Sequence, residues 1–495
     1  MAAGVYIMSI RKLAGETLIY GLSSILGRFA NFLLVPLYTW ILVDAEFGDI
    51  AYFYALMGFL KVLYTLQLDT AFFRFGQDKA HRAGAYTAIL RPVSGYILFL
   101  TAGLLLLAPL AASWTGYPTY VQDFRIIALI LALDAFTEFP LARLRLEQRP
   151  LRFAGIRITG ILVNILFNVL FLLVLPMAFD REAAPWLYPE SRLILVLWAN
   201  LIGSAVTFLL VSRDIRYLFQ RMDTDLFRSM FRYAAPLILV AFAGVINEML
   251  DRQLLRFLLP GTDQEIRAQI GIYSANYRLA MVISLFTQAF RYAAEPFFFR
   301  ESGSATAQQT YARVSRLFTL AASIGLVVIL LFQDWLKFLI GRAGSSYHEG
   351  LQVLPILLTA NILLGLYYNF SVWYKLTDKT RSGAWIAVGG ALVTIAGNAL
   401  FIPQYGYVAS AWTTLVCYAL MVIVSYTWGQ RHYPVPYPLG RMALFIGSAL
   451  VVAGLSRYTL SDLPEVPRMI AYIGITLLFI AGWGRPEWRQ MKVSG

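Results

Sequence analysis

Residues 15–76 read GETLIYGLSSILGRFANFLLVPLYTWILVDAEFGDIAYFYALMGFLKVLYTLQLDTAFFRFG. Two apolar segments, each long enough to cross a bilayer, are joined by only a few residues. Each carries a cation where lipid chains should be, Arg28 in the first and Lys61 in the second. A cation near the bilayer midplane costs roughly 2.5–3.5 kcal/mol on insertion scales, so it normally faces a wet cavity or a partner. The stretch therefore reads as two transmembrane helices lining a polar cavity that holds an anionic ligand.

The rest of the chain repeats the pattern. Of its 495 residues, 59% are apolar and 14% charged. Soluble domains carry about 25% charged residues, so an ordinary soluble protein is excluded. Apolar runs of membrane-spanning length recur throughout without two-residue alternation. Backbone groups in lipid must be satisfied internally, so an all-α polytopic membrane protein is expected rather than a barrel. Fourteen spans are predicted, at about 15–42, 47–67, 86–112, 121–141, 153–178, 193–212, 230–256, 270–298, 314–333, 351–374, 383–402, 406–428, 441–457 and 467–484.

Loop charge supports that count. Alternate loops are basic, for example Arg143, Arg145, Arg149 and Arg152, then Lys375, Lys379 and Arg381. The intervening loops hold few cations, such as Arg181, Arg192 and Lys337. The bias places both termini in the cytoplasm of a bacterial inner membrane. The net charge of +13 then belongs to topology and not to a nucleic-acid partner. The single cysteine, Cys417, excludes an internal disulfide framework. His81, His348 and His432 are scattered without metal-ligand spacing, so no metal or cofactor is expected. The N-terminus shows no Ala-x-Ala cleavage pattern, and no signal peptide is read there.

One composition break, RDIRYLFQRMDTDLFRS at 213–229, is a charged linker after span six. Span seven then resembles span one in layout, with a basic lead-in, small residues and an internal charged cluster. The expected organisation is an N-terminal six-helix bundle at 1–221, a C-terminal six-helix bundle at 222–440, and two extra helices at 441–495. Internal repeats of this kind suit a transporter. The longest outer loops, near 179–192, 257–269 and 334–350, are too short for a domain, so the activity is expected within the bilayer.

The intramembrane polar residues are the candidate site. In span one, Arg28 and Asn31 fall on one face with Thr17, Gly21 and Ser24. In span two, Lys61 shares a face with Tyr54, Gly58 and Thr65, though its flexible stem could also reach inward. Span four carries Asp134 and Glu138, four apart on one face, suited to a cation, a proton, or an ion pair with Arg28, Arg143 or Arg145. Asn164 and Asn168 in span five, and Asn200 and Ser204 in span six, read as interhelical hydrogen bonds. Span seven holds Glu248, Asp251 and Arg252, with Glu248 and Arg252 spaced for an i,i+4 pair. Arg278 lies well inside span eight, and Asn361 and Tyr368 lie on a polar face of span ten. The set is richer in cations than anions, which suits a diphosphate. The diphosphate ligands expected are Arg28, Arg278, Lys61 and Arg252. Asn31, Asp134, Glu138, Glu248, Asp251, Asn361 and Tyr368 are the polar or ion-coupling candidates.

The segments LIYGLSSILGRFANFLLVPLYTWIL, FGDIAYFYAL and QLDTAFFRFG resemble the opening of the polysaccharide-biosynthesis membrane proteins, the Wzx-type oligosaccharide flippases. That family shares a superfamily with the MATE exporters and the lipid II flippase. The resemblance implies a V-shaped pair of bundles and alternating access. It also implies movement of a polyprenyl-pyrophosphate-linked oligosaccharide to the outer leaflet for surface polysaccharide such as O-antigen, with no catalytic residue. Arg28 and Arg278 sit where such flippases keep cavity arginines. Partners implied are the lipid-linked glycan, membrane lipids, and polymerase or glycosyltransferases of the same pathway, with Na+ or H+ coupling open. Two competing functions are a cation-coupled multidrug exporter, centred on Asp134 and Glu138, and a membrane glycan polymerase or ligase.

Overall fold

The computed structural model describes residues 32–77, 82–214, 222–304 and 306–493, without the side chains of Ala293, Glu295, Pro296, Arg300 and residues from 488 onward. Arg28 and Asn31 lie outside these residues. Among the described residues every regular element is a helix. Two compact units pack separately, Met1–Gln253 and Leu254–Gly495. Their division falls within a helix, beyond the charged linker. It describes packing and leaves the expected repeat boundary a separate matter.

The first unit contains α1 (Phe32–Ile41), α2 (Asp44–Thr65), α3 (Leu68–Phe75), α4 (Arg82–Trp114), α5 (Val121–Leu146), α6 (Pro150–Val169), α7 (Leu175–Ala178), α8 (Leu193–Val211) and most of α9 (Thr224–Leu258). Helix α5 is its axis and packs against α2, α3, α4, α6 and α8. Helix α2 starts where Glu46 accepts the Val43 N–H at 3.3 Å and Asp44 accepts the Ala45 N–H at 2.9 Å, which satisfies orphan donors of the first turn. It ends at Leu66 and Gln67, both left-handed at φ 47° and 54°. Two non-glycine residues in that region force a break, and Lys61 sits one turn before it.

Glycine decides how α6 and α8 meet. A Cβ on Gly203 would lie 3.0 Å from the Gly160 carbonyl oxygen. Small residues let helix backbones approach in this way. Asn168 then receives the Tyr38 hydroxyl at 2.8 Å, and Asn200 donates to Tyr54 Oη at 3.1 Å, both interhelical as the sequence indicates. Beyond α6 the chain passes through a π turn, Leu170–Val174, just before Pro176. Helix α9 is held to α2 by Gln253, which donates to the Tyr52 carbonyl at 2.9 Å.

The second unit contains α10 (Asp263–Glu301), α11 (Ala307–Leu331), α12 (Gln333–Leu336), α13 (Leu354–Phe370), α14 (Val372–Leu376), α15 (Thr380–Tyr405), α16 (Tyr407–His432), α17 (Leu439–Leu460) and α18 (Glu465–Val493). Thr262 caps α10 reciprocally: its backbone N–H meets Glu265 at 2.8 Å, and its hydroxyl accepts the Glu265 N–H at 3.4 Å. Gly406, at φ +59° and ψ −145°, makes the reversal from α15 to α16 that a side chain would strain. The last two helices are pinned to α11 and its end. Glu487 of α18, 3% exposed at its side chain, pairs with Arg316 of α11 at 2.8 Å and Arg441 of α17 at 3.4 Å. At the opposite end Arg457 pairs with Asp334 at 3.3 Å, and Trp335 donates to Glu465 at 2.8 Å.

Among the described residues, 11 helices are long and apolar enough to cross a membrane. Helices α5 and α10 have the length, 26 and 39 residues, but not the apolarity. They are the helices that carry Asp134 and Glu138, and Arg278 and Arg291. The chain is a multi-pass helical membrane protein, and these two long charged helices carry residues of the candidate site below.

Candidate functional site

The first unit gathers a charge network at membrane depth. Lys61 of α2 donates to Glu138 of α5 at 2.9 Å. Arg157 of α6 reaches both oxygens of the same carboxylate, at 3.1 and 3.2 Å. Asp134, one turn from Glu138, lies in the field of both cations and within reach of Ser204 of α8. Four helices therefore each deliver at least one member. Lys61 and Glu138 each lie 17 residues from the same end of α2 and α5, ~25 Å along the axis. Arg157 lies seven residues from the opposite end of α6, ~10 Å. These depths agree with one layer inside a bilayer.

Packing explains the convergence. Arg157 precedes Gly160 by one turn, and Ser204 follows Gly203 directly, so the close α6–α8 approach brings both toward α5. The Phe153 ring lies 5.9 Å from the guanidinium carbons of both Arg145 and Arg157, which steadies them by cation–π attraction. Asp69 of α3 lies within electrostatic reach of Lys61 and Arg145.

The network is balanced, with two cations against two carboxylates, but access to it is uneven. The side chain of Glu138 is 13% exposed, whereas those of Lys61 and Arg157 are 49% and 38% exposed. Cations at this depth require either a hydrated side or a stem that reaches the interface. Chemically, two partly exposed cations share one enclosed counter-ion, Glu138.

The other predicted residues fall elsewhere. Arg252 and Asp251 form a buried pair at 2.8 Å, 8% and 3% exposed as residues. Arg252 folds back along its own helix and donates to the Glu248 carbonyl at 2.6 Å, rather than to the Glu248 carboxylate expected from i,i+4 spacing. In the second unit Arg278 is half-buried in α10, beside the buried Tyr277 and Tyr273. Asn361 is 2% exposed and fully engaged between α10 and α13: it receives the Ser284 hydroxyl and donates to Leu357 at 2.8 Å and Ala280 at 3.4 Å. Tyr368 lies under the Arg291 guanidinium, 4.7 Å from its ring centroid, and lines a pocket.

Arg157 escapes the sequence reading. It lies only four residues inside span five, where an interfacial cation is unremarkable. The signal that could have found it is its helical register with Phe153, Gly160, Asn164 and Asn168 on the polar side of that span. Of the ion-pair partners offered for Asp134 and Glu138, Arg28 lies outside the described residues, and Arg143 and Arg145 lie a turn or two further along α5. Arg143 instead pairs with Glu147 at 2.6 Å.

Residues 13–301 match a family described as polysaccharide biosynthesis protein. A protein of the Lsg locus of Haemophilus influenzae is 21% identical over 427 residues, covering 84% of this chain and all of the relative. Among solved structures, the lipid II flippase MurJ in an inward closed conformation aligns with a TM-score of 0.70 at 15% identity, covering 95% of this chain and 99% of that one. An inward-facing MATE multidrug transporter aligns with a TM-score of 0.62 at 14% identity, covering 84% and 94%. At such identities the likeness concerns the fold.

Proposed function

The chain belongs to the polysaccharide biosynthesis protein family, and from that premise we propose that it is a flippase. Its cargo is a polyprenyl-pyrophosphate-linked oligosaccharide, moved by alternating access from the cytoplasmic to the outer leaflet of a bacterial inner membrane. The observation that carries this reading is the pair of half-open cations, Lys61 and Arg157, held at membrane depth by one carboxylate. A diphosphate can displace that carboxylate oxygen for oxygen, because guanidinium and ammonium donors suit both. Arg28 and Arg278 are the further cations assigned to the diphosphate. Carrying a charged head group past fixed, hydrated cations avoids its passage through hydrocarbon, which would cost tens of kcal/mol. No covalent step is required of the protein.

Drug export coupled to a cation would be favoured by unpaired carboxylates. Against it, Asp134 and Glu138 face two cations. The test is flipping of a fluorescent lipid-linked glycan in proteoliposomes. Arg28→Ala with Arg278→Ala, and separately Lys61→Ala with Arg157→Ala, are expected to lower the rate at least tenfold. Full activity in both variants would remove the proposed site.

A further inference from the structure

Two further carboxylates of the first unit lie outside the charge network, toward the other end of the same two helices. Asp49 of α2 and Asp123 of α5 come five and two residues after the helix starts, whereas Lys61 and Glu138 come 17 after them. The two levels are therefore roughly 18–22 Å apart. Asp49 is 0% exposed and Asp123 6%. Tyr120, one turn before Asp123, donates its hydroxyl to Asp49 Oδ2 at 2.9 Å and ties α2 to the start of α5. Around them Tyr52, Phe53, Tyr117, Tyr120 and Phe124 pack ring against ring, with centroids 5.0–5.9 Å apart.

Asp123 Oδ1 is enclosed by this layer and has no hydrogen-bond partner. Among the described residues the charged group acting on the carboxyl is Asp49, a like charge. The neighbouring elements supply no relief. The halves of α4, α6 and α8 that reach this end of α5 contain no charged residue. Helix α2 adds only the acidic Asp44 and Glu46. Arg192, just before α8, is turned to the Ile41 carbonyl at 3.1 Å. Arg125 leaves α5 on another side, two positions on. Helix α3, with Asp69 and Arg74, reaches the opposite end of α5, where Phe73 meets Arg145.

An ionised carboxylate in this place gives up its hydration without a cation or a second donor in return. That cost exceeds what the N-terminal dipole of α5 recovers. Neutralising the group removes it, and a proton needs no cavity, whereas a metal or organic cation does. We infer that Asp123 is a proton-binding site, which carries a proton while this end of the first unit is packed and releases it when water enters. The packed form then holds one proton more than the opened form, so rising pH favours opening. The inference goes beyond the flippase reading and stands without it. Under that reading, the site links opening of this end to proton release.

The test is infrared difference spectroscopy of the full-length protein in liposomes, stepped from about pH 5 to about pH 9. The carbonyl stretch of a protonated, buried carboxyl is expected at low pH and should fade as pH rises. Asp123→Asn should remove one carboxyl's share of that signal. Asp225→Asn, at an exposed carboxylate, should leave it unchanged. Asp49→Asn deletes the like charge and should move the fading toward lower pH by about one unit. Hydrogen exchange across residues 117–124 should quicken with pH beyond its intrinsic rise in wild type, and lose that excess in Asp123→Asn.

Identical spectra for wild type and Asp123→Asn would overturn the inference. So would a signal abolished by sodium but not by choline at constant pH, which would assign a metal cation instead. Melting curves establish folding. Should Asp123→Asn not fold, Asp49→Asn carries the test, and an unshifted signal there overturns the inference. Loss of flipping activity in wild type liposomes, with the infrared signal intact, would count against the flippase reading and leave the proton site standing.

Discussion

Replacing Glu138 by glutamine keeps the shape of the network and deletes the charge shared by Lys61 and Arg157. At an effective dielectric of about 20, contacts of 2.9 and 3.1 Å correspond to roughly 5–6 kcal/mol each. Desolvation and screening reduce that. Exposed ion pairs yield about 0.2–1 kcal/mol, and breaking closed ones costs about 3–5 kcal/mol. Glu138 is nearly enclosed while its partners are half-open, so we expect coupling of about 1–2 kcal/mol per cation. The assay is reversible unfolding in mixed micelles for two double-mutant cycles, Glu138→Gln with Lys61→Met and Glu138→Gln with Arg157→Met. A second readout follows from function. With the internal counter-ion gone, pyrophosphate should bind about five- to tenfold more tightly while flipping slows, because the anion is no longer displaced. Coupling below about 0.5 kcal/mol in both cycles, together with unchanged pyrophosphate affinity, would refute the proposed exchange.

Other outcomes follow from the packing. Gly203→Val should push α8 off α6 against the Gly160 carbonyl and destabilise the protein by about 1–3 kcal/mol in the same unfolding assay, moving Arg157 and lowering flipping as well. Tyr120→Phe removes the 2.9 Å hydrogen bond to Asp49, which is fully buried, and should cost about 1–3 kcal/mol in that assay. Glu487→Gln breaks the pairs with Arg316 and Arg441 and should speed hydrogen exchange across α17 and α18 while flipping persists.

Much of this chain follows from the order of its residues. Runs of apolar residues as long as a bilayer is thick have one solution in lipid, a helix, because no water is present to satisfy the backbone. The charges that break those runs at Lys61, Asp134, Glu138 and Arg278 are local facts too, and their depth follows from counting residues at a fixed rise. Helical spacing likewise places Asp134 and Glu138 on one face.

Partnership is not local. Lys61 and Glu138 are 77 residues apart, and Arg157 follows Glu138 by 19. Periodicity says which way each side chain leaves its helix, but not which helix stands opposite. That was decided by the glycines that let α6 and α8 touch and by the break at Leu66 and Gln67 below Lys61. The same holds for Arg252, whose expected partner Glu248 offers its carbonyl while Asp251 supplies the charge. In the second unit, Arg291 and Tyr368 share no sequence pattern, and only the packing of α10 on α13 makes them neighbours. Sequence fixes what each helix can offer at each depth; tertiary packing selects the partners, because charge pairing acts over a few ångströms and chain separation leaves that distance undetermined.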